Sequence, residues 1–381
     1  MDLNRFMNQG IAQLVKSAGR YYLNNPKGIA FLAKIAPEIK KSAKRRQRNE
    51  ETGLHVPPLI IASIASRCNL HCAGCYSRAT GACSEHTEEE MTAAQWEKIL
   101  REVSGLGVTF VLLAGGEPLM RRDVMEVAAS FRNIVFPVFT NATMMDQEYF
   151  ALFEQNRNFI PVFSIEGGKE MTDKRRGEGA YEVVHDVMWH FKKKKMLFGA
   201  SVTVTKENMD SVVNDDYVQS LRNDGCGVLF FVEYVPIEAG TEHLMLDKFD
   251  IEHMQEKVER FKQGFDDMIF VSFPGDEEMM GGCLASGRGF FHINANGGAE
   301  PCPFSPYSKL NLKTDSIETV LRSGFFGELR KIAADAEHHG GCTLFDHERE
   351  VAALLNGERG FERKAFELQR FCFDRPPATY I

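Results

Sequence analysis

Between residues 57 and 273 short apolar runs alternate with segments whose apolar residues recur at helical spacing. The runs are Leu59 to Ala65, Val108 to Ala114, Ile134 to Thr140, Phe159 to Ile165, Leu197 to Val204, Val228 to Val235 and Met268 to Phe273. Their length and β-rich content mark them as strands. Of the segments between, Thr92 to Ser104 opens on a Thr N-cap, and Tyr181 to Lys195 closes on four lysines, where helix carbonyls favour cations. Alternation of this kind predicts an α/β fold of parallel strands with right-handed crossovers, curled into a partial (β/α)6 barrel of the TIM type. Chemistry in such a barrel sits at the C-terminal ends of the strands.

The pattern differs at both ends, which divides the chain at 1–56, 57–273 and 274–381. In the N-terminal arm Ile11, Leu14, Val15 and Ala18 fall at helical spacing, as do Ile29, Leu32, Ala33 and Ile35, with a break at Asn24 to Gly28. Two short amphipathic helices follow from that. After Pro37 come Lys40, Lys41, Lys44, Arg45, Arg46 and Arg48. This run is either a solvated face or an interfacial arm suited to an anionic membrane surface or an acidic carrier protein. Beyond residue 274 the alternation stops. Phe290 to Asn294 reads as a strand, Asn296-Gly297-Gly298 as a hairpin turn, and Pro301-Cys302-Pro303 as a rigid return.

Composition narrows the class. With 381 residues, 44% hydrophobic and 26% charged, the chain reads as a soluble globular protein, and its net charge of −8 argues against bulk nucleic-acid binding. No run of apolar residues is long enough to span a bilayer. Nine cysteines is an odd number, and thiols reserved for metal rather than disulfides fit a reducing cytoplasm.

Three of those cysteines carry the main signal. Cys68, Cys72 and Cys75 have Cys-x3-Cys-x2-Cys spacing directly after the first strand. Three thiolates this close converge on one small inorganic cube if the backbone loops around it, leaving one iron without a protein ligand. A zinc knuckle would need a fourth ligand, and His71, next to Cys72, is poorly placed to supply it. The second strand ends in Gly115-Gly116-Glu117-Pro118, where glycines allow the backbone to approach a ligand closely.

The triplet, the aromatic Tyr76 after it and the Gly115–Pro118 segment resemble the signature of the radical S-adenosylmethionine (radical SAM) enzymes, over about Pro57 to Phe273. The resemblance implies that the amino and carboxylate groups of SAM chelate the open iron of a [4Fe-4S] cluster, and that Gly115, Gly116, Glu117 and Pro118 hold the amino group. It also implies ribose or carboxylate contacts from polar residues at later strand ends, namely Thr140 with Asn141, Ser164 with Glu166, and Ser201. Arg175 or Arg176, in a charge run otherwise read as a solvated loop, would meet the SAM carboxylate. Tyr234 would border the adenine or the substrate, with simple packing as its plain alternative.

In the extension a hairpin brings Cys283 and Cys302 together. This arrangement resembles the auxiliary-cluster extensions called SPASM and twitch domains, with fewer cysteines than the full set. One auxiliary iron–sulfur cluster on Cys283, Cys302 and Cys342 is the implied content, its fourth ligand being Cys372, His338, His339 or none. Cys83 and Cys226 read as free thiols, Cys226 in the core.

The expectation is therefore a radical SAM enzyme that cleaves SAM reductively to a 5′-deoxyadenosyl radical, fed by a flavodoxin- or ferredoxin-type donor. Its substrate is unidentified. The basic arm leans toward a lipid or other hydrophobic molecule and a location peripheral to the membrane, with peptide or small metabolite open. The rival from another class is a zinc- or cluster-binding regulatory protein without turnover.

Overall fold

The structure, a computed structural model, describes Tyr22 and residues 26–83, 90–274, 282–335 and 342–356. The helix expected around Ile11 to Ala18, and His338, His339 and Cys372, lie outside the described residues. Seven parallel strands follow the apolar runs, shifted by at most two residues at most ends: β1 Leu59–Ala65, β2 Phe110–Gly115, β3 Phe136–Thr140, β4 Phe159–Ser164, β5 Gly199–Val204, β6 Val228–Glu233 and β7 Ile269–Phe273. Helices α1 Pro26–Glu51, α2 Tyr76–Ala79, α3 Ala93–Leu106, α4 Arg122–Ala129, α5 Gln147–Gln155, α6 Lys169–Arg176, α7 Ala180–Lys193, α8 Met209–Val212, α9 Asp215–Asn223 and α10 Lys248–Gly264 precede or connect them. Thr92 caps α3 in a capping box with Gln95.

The extension continues the sheet. Strands β8 His292–Ile293 and β9 Ala299–Glu300 form the expected hairpin, and β8 pairs in parallel with β1 through Ile61 and His292. The full order is β7-β6-β5-β4-β3-β2-β1-β8-β9, an open nine-stranded sheet with the first strand in its interior. Strand β1 is buried on both faces over six of its seven positions, as a strand flanked on both sides requires. Helices α11 Ile317–Arg322, α12 Gly324–Asp335, α13 Thr343–Asp346 and α14 Glu348–Asn356 follow. One continuous apolar cluster runs from Leu54 through the barrel helices to Phe291, Leu329 and Val351.

The arm departs from expectation. Helix α1 does not stop at Pro37 but runs through the basic segment to Glu51. Pro37 and Ala33 are both exposed, so the hydrogen bond that proline removes lies on the wet side of the helix. The basic run is divided by its facing. Lys40, Lys41, Lys44 and Arg48 are exposed, whereas Arg46 is buried and donates from Nη1 to Gly107 O and to Thr109 Oγ1 at 2.8 Å. Arg45 donates to Ser104 O at 3.1 Å, and Asn49 to Leu106 O at 3.0 Å. These groups dock α1 onto the end of α3. Among the described residues no helix is long and apolar enough to cross a membrane.

Candidate active site

The loop after β1 is built by its neighbours in the chain. Arg78 of α2 donates from Nη2 to Cys68 O (3.3 Å) and Leu70 O (2.9 Å), folding the segment back over the helix start. Gly74 takes a positive φ of 63°, and a Cβ there would meet Tyr234 Oη at 2.6 Å. Tyr234, buried at the end of β6, thus packs under the cysteine loop, which is the plain alternative for this residue.

The Gly-Gly pair also has a reason the sequence did not suggest. A Cβ on Gly115 would lie 2.3 Å from Ala65 O, and one on Gly116 2.0 Å from Arg67 O. Gly116 N donates to Ala65 O and Glu117 N to Arg67 O, both at 2.8 Å. The close approach these glycines permit is therefore to the chain entering Cys68, and it staples the two motifs together. Glu117 is buried: Oε1 accepts from Thr140 Oγ1 (2.7 Å) and Leu119 N (3.0 Å), and Oε2 from Asn141 N (2.9 Å). Burial raises its pKa against the pull of these donors. Asn141 in turn donates from Nδ2 to Asn69 Oδ1 (3.1 Å) and toward Cys68 Sγ (3.8 Å).

Opposite these lies an ionic cluster. The segment Asp173 to Arg176 is the end of α6 rather than a solvated loop. Glu166, buried, accepts at Oε1 from Arg175 Nη1 (2.7 Å), Arg176 Nε (2.9 Å) and Arg176 Nη2 (2.5 Å), and at Oε2 from Thr203 N (3.1 Å). Arg175 is also tied to the cysteine loop in both directions: its Nε donates to Ala73 O (3.1 Å) and its carbonyl accepts from Ala73 N (2.9 Å). Both arginines act on Cys72, whose pKa burial nonetheless raises. Ser164 and Ser201 are register partners on β4 and β5, so their side chains share one face of the sheet.

In the second set of thiols, Cys342 and Cys283 both act on Cys302. Cys283, Cys302 and Cys342 are all buried, and the Cys302 thiol is pushed well up, first by burial and then by a hydrogen bond and charge repulsion from Cys342, with Cys283 adding to it. That brings in Cys342, the member sequence spacing supported least. The two sets adjoin through aromatic rings. Tyr76 meets Phe304 edge-on at 5.1 Å between centroids, and its hydroxyl is influenced by both Cys75 and Cys302.

A buried polar chain lies beside them that sequence reasoning missed. Ser63 Oγ lies 2.7 Å from His292 Nε2, His292 Nδ1 lies 2.7 Å from Glu300 Oε2, and Asn294 Nδ2 donates to Glu300 Oε1. Its members come from β1, β8 and the hairpin, 229 residues apart at the widest. Cys83 likewise joins the first set more closely than expected, since its sulfur accepts from Cys68 N and feels Cys75 and Cys72. Cys226 is in the core, donating to Val228 O at 3.2 Å.

These residues fit iron–sulfur ligation. The sulfurs sit among backbone donors, with Leu70 N at 3.5 Å from Cys68 Sγ and Ala285 N at 3.5 Å from Cys283 Sγ. Such N–H···S contacts stabilise thiolate and set cluster potentials. Burial pushes the metal-free Cys68 thiol up to about 11, so ligation here is coupled to proton release. Among the described residues no three His, Cys, Asp or Glu side chains are gathered as one metal ion would need. A cube of four irons presents its corners further apart than a single ion presents its ligand positions, so this spacing does not weigh against the cluster.

Comparison with known proteins agrees. Residues 62–215 match the family model described as the radical SAM superfamily. AdoMet-dependent heme synthase of Methanosarcina barkeri is 24% identical over 354 residues, 84% of this chain and 98% of that protein. Fe-coproporphyrin III synthase of the same organism is 28% identical over 159 residues, 41% of this chain but only 39% of its own length. Among solved structures, Streptococcus suis SuiB bound to S-adenosylmethionine superposes with a TM-score of 0.62 at 17% identity, covering 77% of this chain and 72% of SuiB. Residues 62–215 thus form a radical SAM domain, of the superfamily that uses a [4Fe-4S] cluster and S-adenosylmethionine, and the relatives that reach beyond it are of the type that carries a SPASM extension.

Proposed function

We propose that Cys68, Cys72 and Cys75 hold the SAM-binding [4Fe-4S] cluster and that Cys283, Cys302 and Cys342 hold one auxiliary cluster, serving hydrogen abstraction from a substrate lodged in the barrel mouth. The observation that carries this reading is the juxtaposition of two thiol sets across the Tyr76–Phe304 contact. When bound, the first cluster supplies the electron that splits SAM into methionine and a 5′-deoxyadenosyl radical. This chain's part is to bind, orient and exclude water. Gly115, Gly116, Glu117 and Pro118 would hold the amino group of SAM, with the buried Glu117 carboxylate itself fixed by Thr140 Oγ1 and the Leu119 and Asn141 amides. Arg175, engaged through Nη1 and Nε, offers Nη2 to the SAM carboxylate. Asn141, Ser164 and Ser201 line the rim for the ribose, and Glu166 fixes the two arginines in place.

A peptide or a tetrapyrrole-like metabolite is the substrate class we favour. Relatives that cover most of this chain include the AdoMet-dependent heme synthase and the mycofactocin maturase MftC of Mycolicibacterium smegmatis. The lean toward a lipid finds no support among these relatives, and two cations of the basic run, Arg45 and Arg46, are engaged in docking α1. A flavodoxin- or ferredoxin-type protein is the proposed electron donor.

Anaerobic purification followed by iron and sulfide counts, then dithionite with SAM, tests the reading. About eight irons per chain, falling to about four when Cys283, Cys302 and Cys342 are replaced by Ala, is the expected result. Replacing Cys68, Cys72 and Cys75 by Ala should abolish 5′-deoxyadenosine. A colourless wild-type protein that leaves SAM intact would favour the regulatory metal-binding rival.

A further inference from the structure

The turn that carries Cys302 is built in the manner of a metal knuckle. Cys302 O accepts from Ser305 N at 3.0 Å, and Cys302 Sγ accepts from the amide of Phe304 between them. The loop of Cys283 repeats the second contact, with Ala285 N at 3.5 Å from Cys283 Sγ. Ligands separated by two residues are common at metal sites, because a turn of this kind brings the first and fourth side chains to one centre. Here the fourth position is held by Ser305 instead of a second cysteine.

Two observations direct its hydroxyl to the metal side of the turn. Cys302 and Ser305 are partners in an antiparallel bridge, so their side chains leave the backbone on the same side. Ser305 is 1% exposed, and its Oγ has no hydrogen-bond partner among the described residues. Its main-chain groups are both engaged, the carbonyl accepting from Tyr307 N at 2.8 Å. A hydroxyl buried in this way costs stability unless a ligand takes up its proton. Ligation of iron through the serine oxygen would first require the loss of that proton, and iron–sulfur clusters favour soft thiolates. As a donor the hydroxyl needs no change, since its one O–H can point at a cluster sulfur as it stands. Hydrogen bonds to cluster sulfurs offset the negative charge that reduction adds and so raise the reduction potential.

We propose that Ser305 donates its hydroxyl hydrogen bond to a sulfur of the auxiliary cluster held by Cys283, Cys302 and Cys342, and that this bond sets the cluster's reduction potential. The inference rests on the reading that these three cysteines hold a cluster, and it gives that site a donor outside its ligand set. In the metal-free chain the hydroxyl is a burden on the fold; in the loaded protein it is satisfied.

The test is a potentiometric EPR titration of the anaerobically purified, fully loaded chain, in which the auxiliary signal is the one that added SAM leaves unchanged. Ser305→Ala should move the auxiliary midpoint to more negative values and leave the SAM-responsive one in place. Ser305→Thr, which keeps the hydroxyl, should restore it. In deuterated buffer, one of the exchangeable deuteron couplings to the reduced auxiliary cluster should disappear from the ENDOR spectrum of Ser305→Ala. In the metal-free chain Ser305→Ala should not lower the urea midpoint. About eight irons per chain with an auxiliary midpoint that Ser305→Ala leaves unmoved overturns the proposal while the cluster assignment stands. About four irons in the wild type, all in the SAM-responsive signal, overturns the assignment itself and the proposal with it. Loss of the auxiliary irons in Ser305→Ala but not in Ser305→Cys makes Ser305 a ligand and overturns the proposal, as does a lowered urea midpoint in metal-free Ser305→Ala. Should Ser305→Thr not load, the deuteron coupling decides, and its persistence in Ser305→Ala overturns the proposal equally.

Discussion

Single side chains at the barrel mouth serve two duties, and their energetics separate them. Glu166 is a buried anion shared by two arginines, so Glu166→Gln leaves Arg176 buried and uncompensated. A loss of about 3 kcal/mol in the urea unfolding free energy is expected, the usual cost of breaking a buried pair from one side. A loss under about 1 kcal/mol would mean that water reaches the cluster and screens it. Glu117 makes a different prediction, in pH. Its carboxyl is raised above the ordinary value of 4.5 by burial. A carboxyl raised on folding stabilises in full below its unfolded value and loses that contribution as pH climbs through the folded one. Wild type should therefore lose stability relative to Glu117→Gln as pH rises above about 4.5, read as the difference in urea midpoints from pH 5 to 8. A difference that stays flat would place the Glu117 carboxyl in water. Neither partner set was legible beforehand. Asp173 to Arg176 read as a charged loop or as a contact to the SAM carboxylate, because nothing in the sequence says that Glu166, at the end of β4 nine or ten residues earlier, folds back onto the two arginines.

Elements were more legible than their docking. The apolar runs gave seven strands because a strand's length and burial are written locally, and Thr92 announced α3 because a cap acts within three residues. The fate of the basic run was not local, since its facing depends on α3 being there to receive it. Arg46→Ala should cost about 2 kcal/mol through the lost bonds to Gly107 and Thr109, whereas Arg48→Ala, two residues on and exposed, should cost under about 0.5 kcal/mol. Chemical denaturation of the two variants checks this, and equal effects would show that α1 is held by its apolar face alone. The hairpin was read correctly from Asn296-Gly297-Gly298. Its parallel pairing with β1 was not, because nothing in either segment names a partner more than 200 residues away.

At the scale of the whole molecule the extension completes the barrel sheet. Cutting the chain after residue 274 removes β8, uncovers the edge of β1 and exposes the apolar side that Phe291 and Phe326 cover. We expect that fragment to aggregate, since a long, apolar, unprotected edge is a template for other chains. A monomeric fragment with cooperative unfolding, by size-exclusion chromatography and circular dichroism, would contradict this. The same pairing sets an order of events during synthesis. Ser63 leaves the ribosome long before His292, its hydrogen-bond partner 229 positions later. At roughly 5–20 residues per second, β1 spends on the order of ten seconds or more without its neighbour. Closing so long a loop is slow as well as late. The strand that leads into the loop of Cys68, Cys72 and Cys75 is thus among the first to be made and among the last to be finished, and this interval is when a nascent chain of this design is most exposed to mispairing and to oxidation of those three thiols.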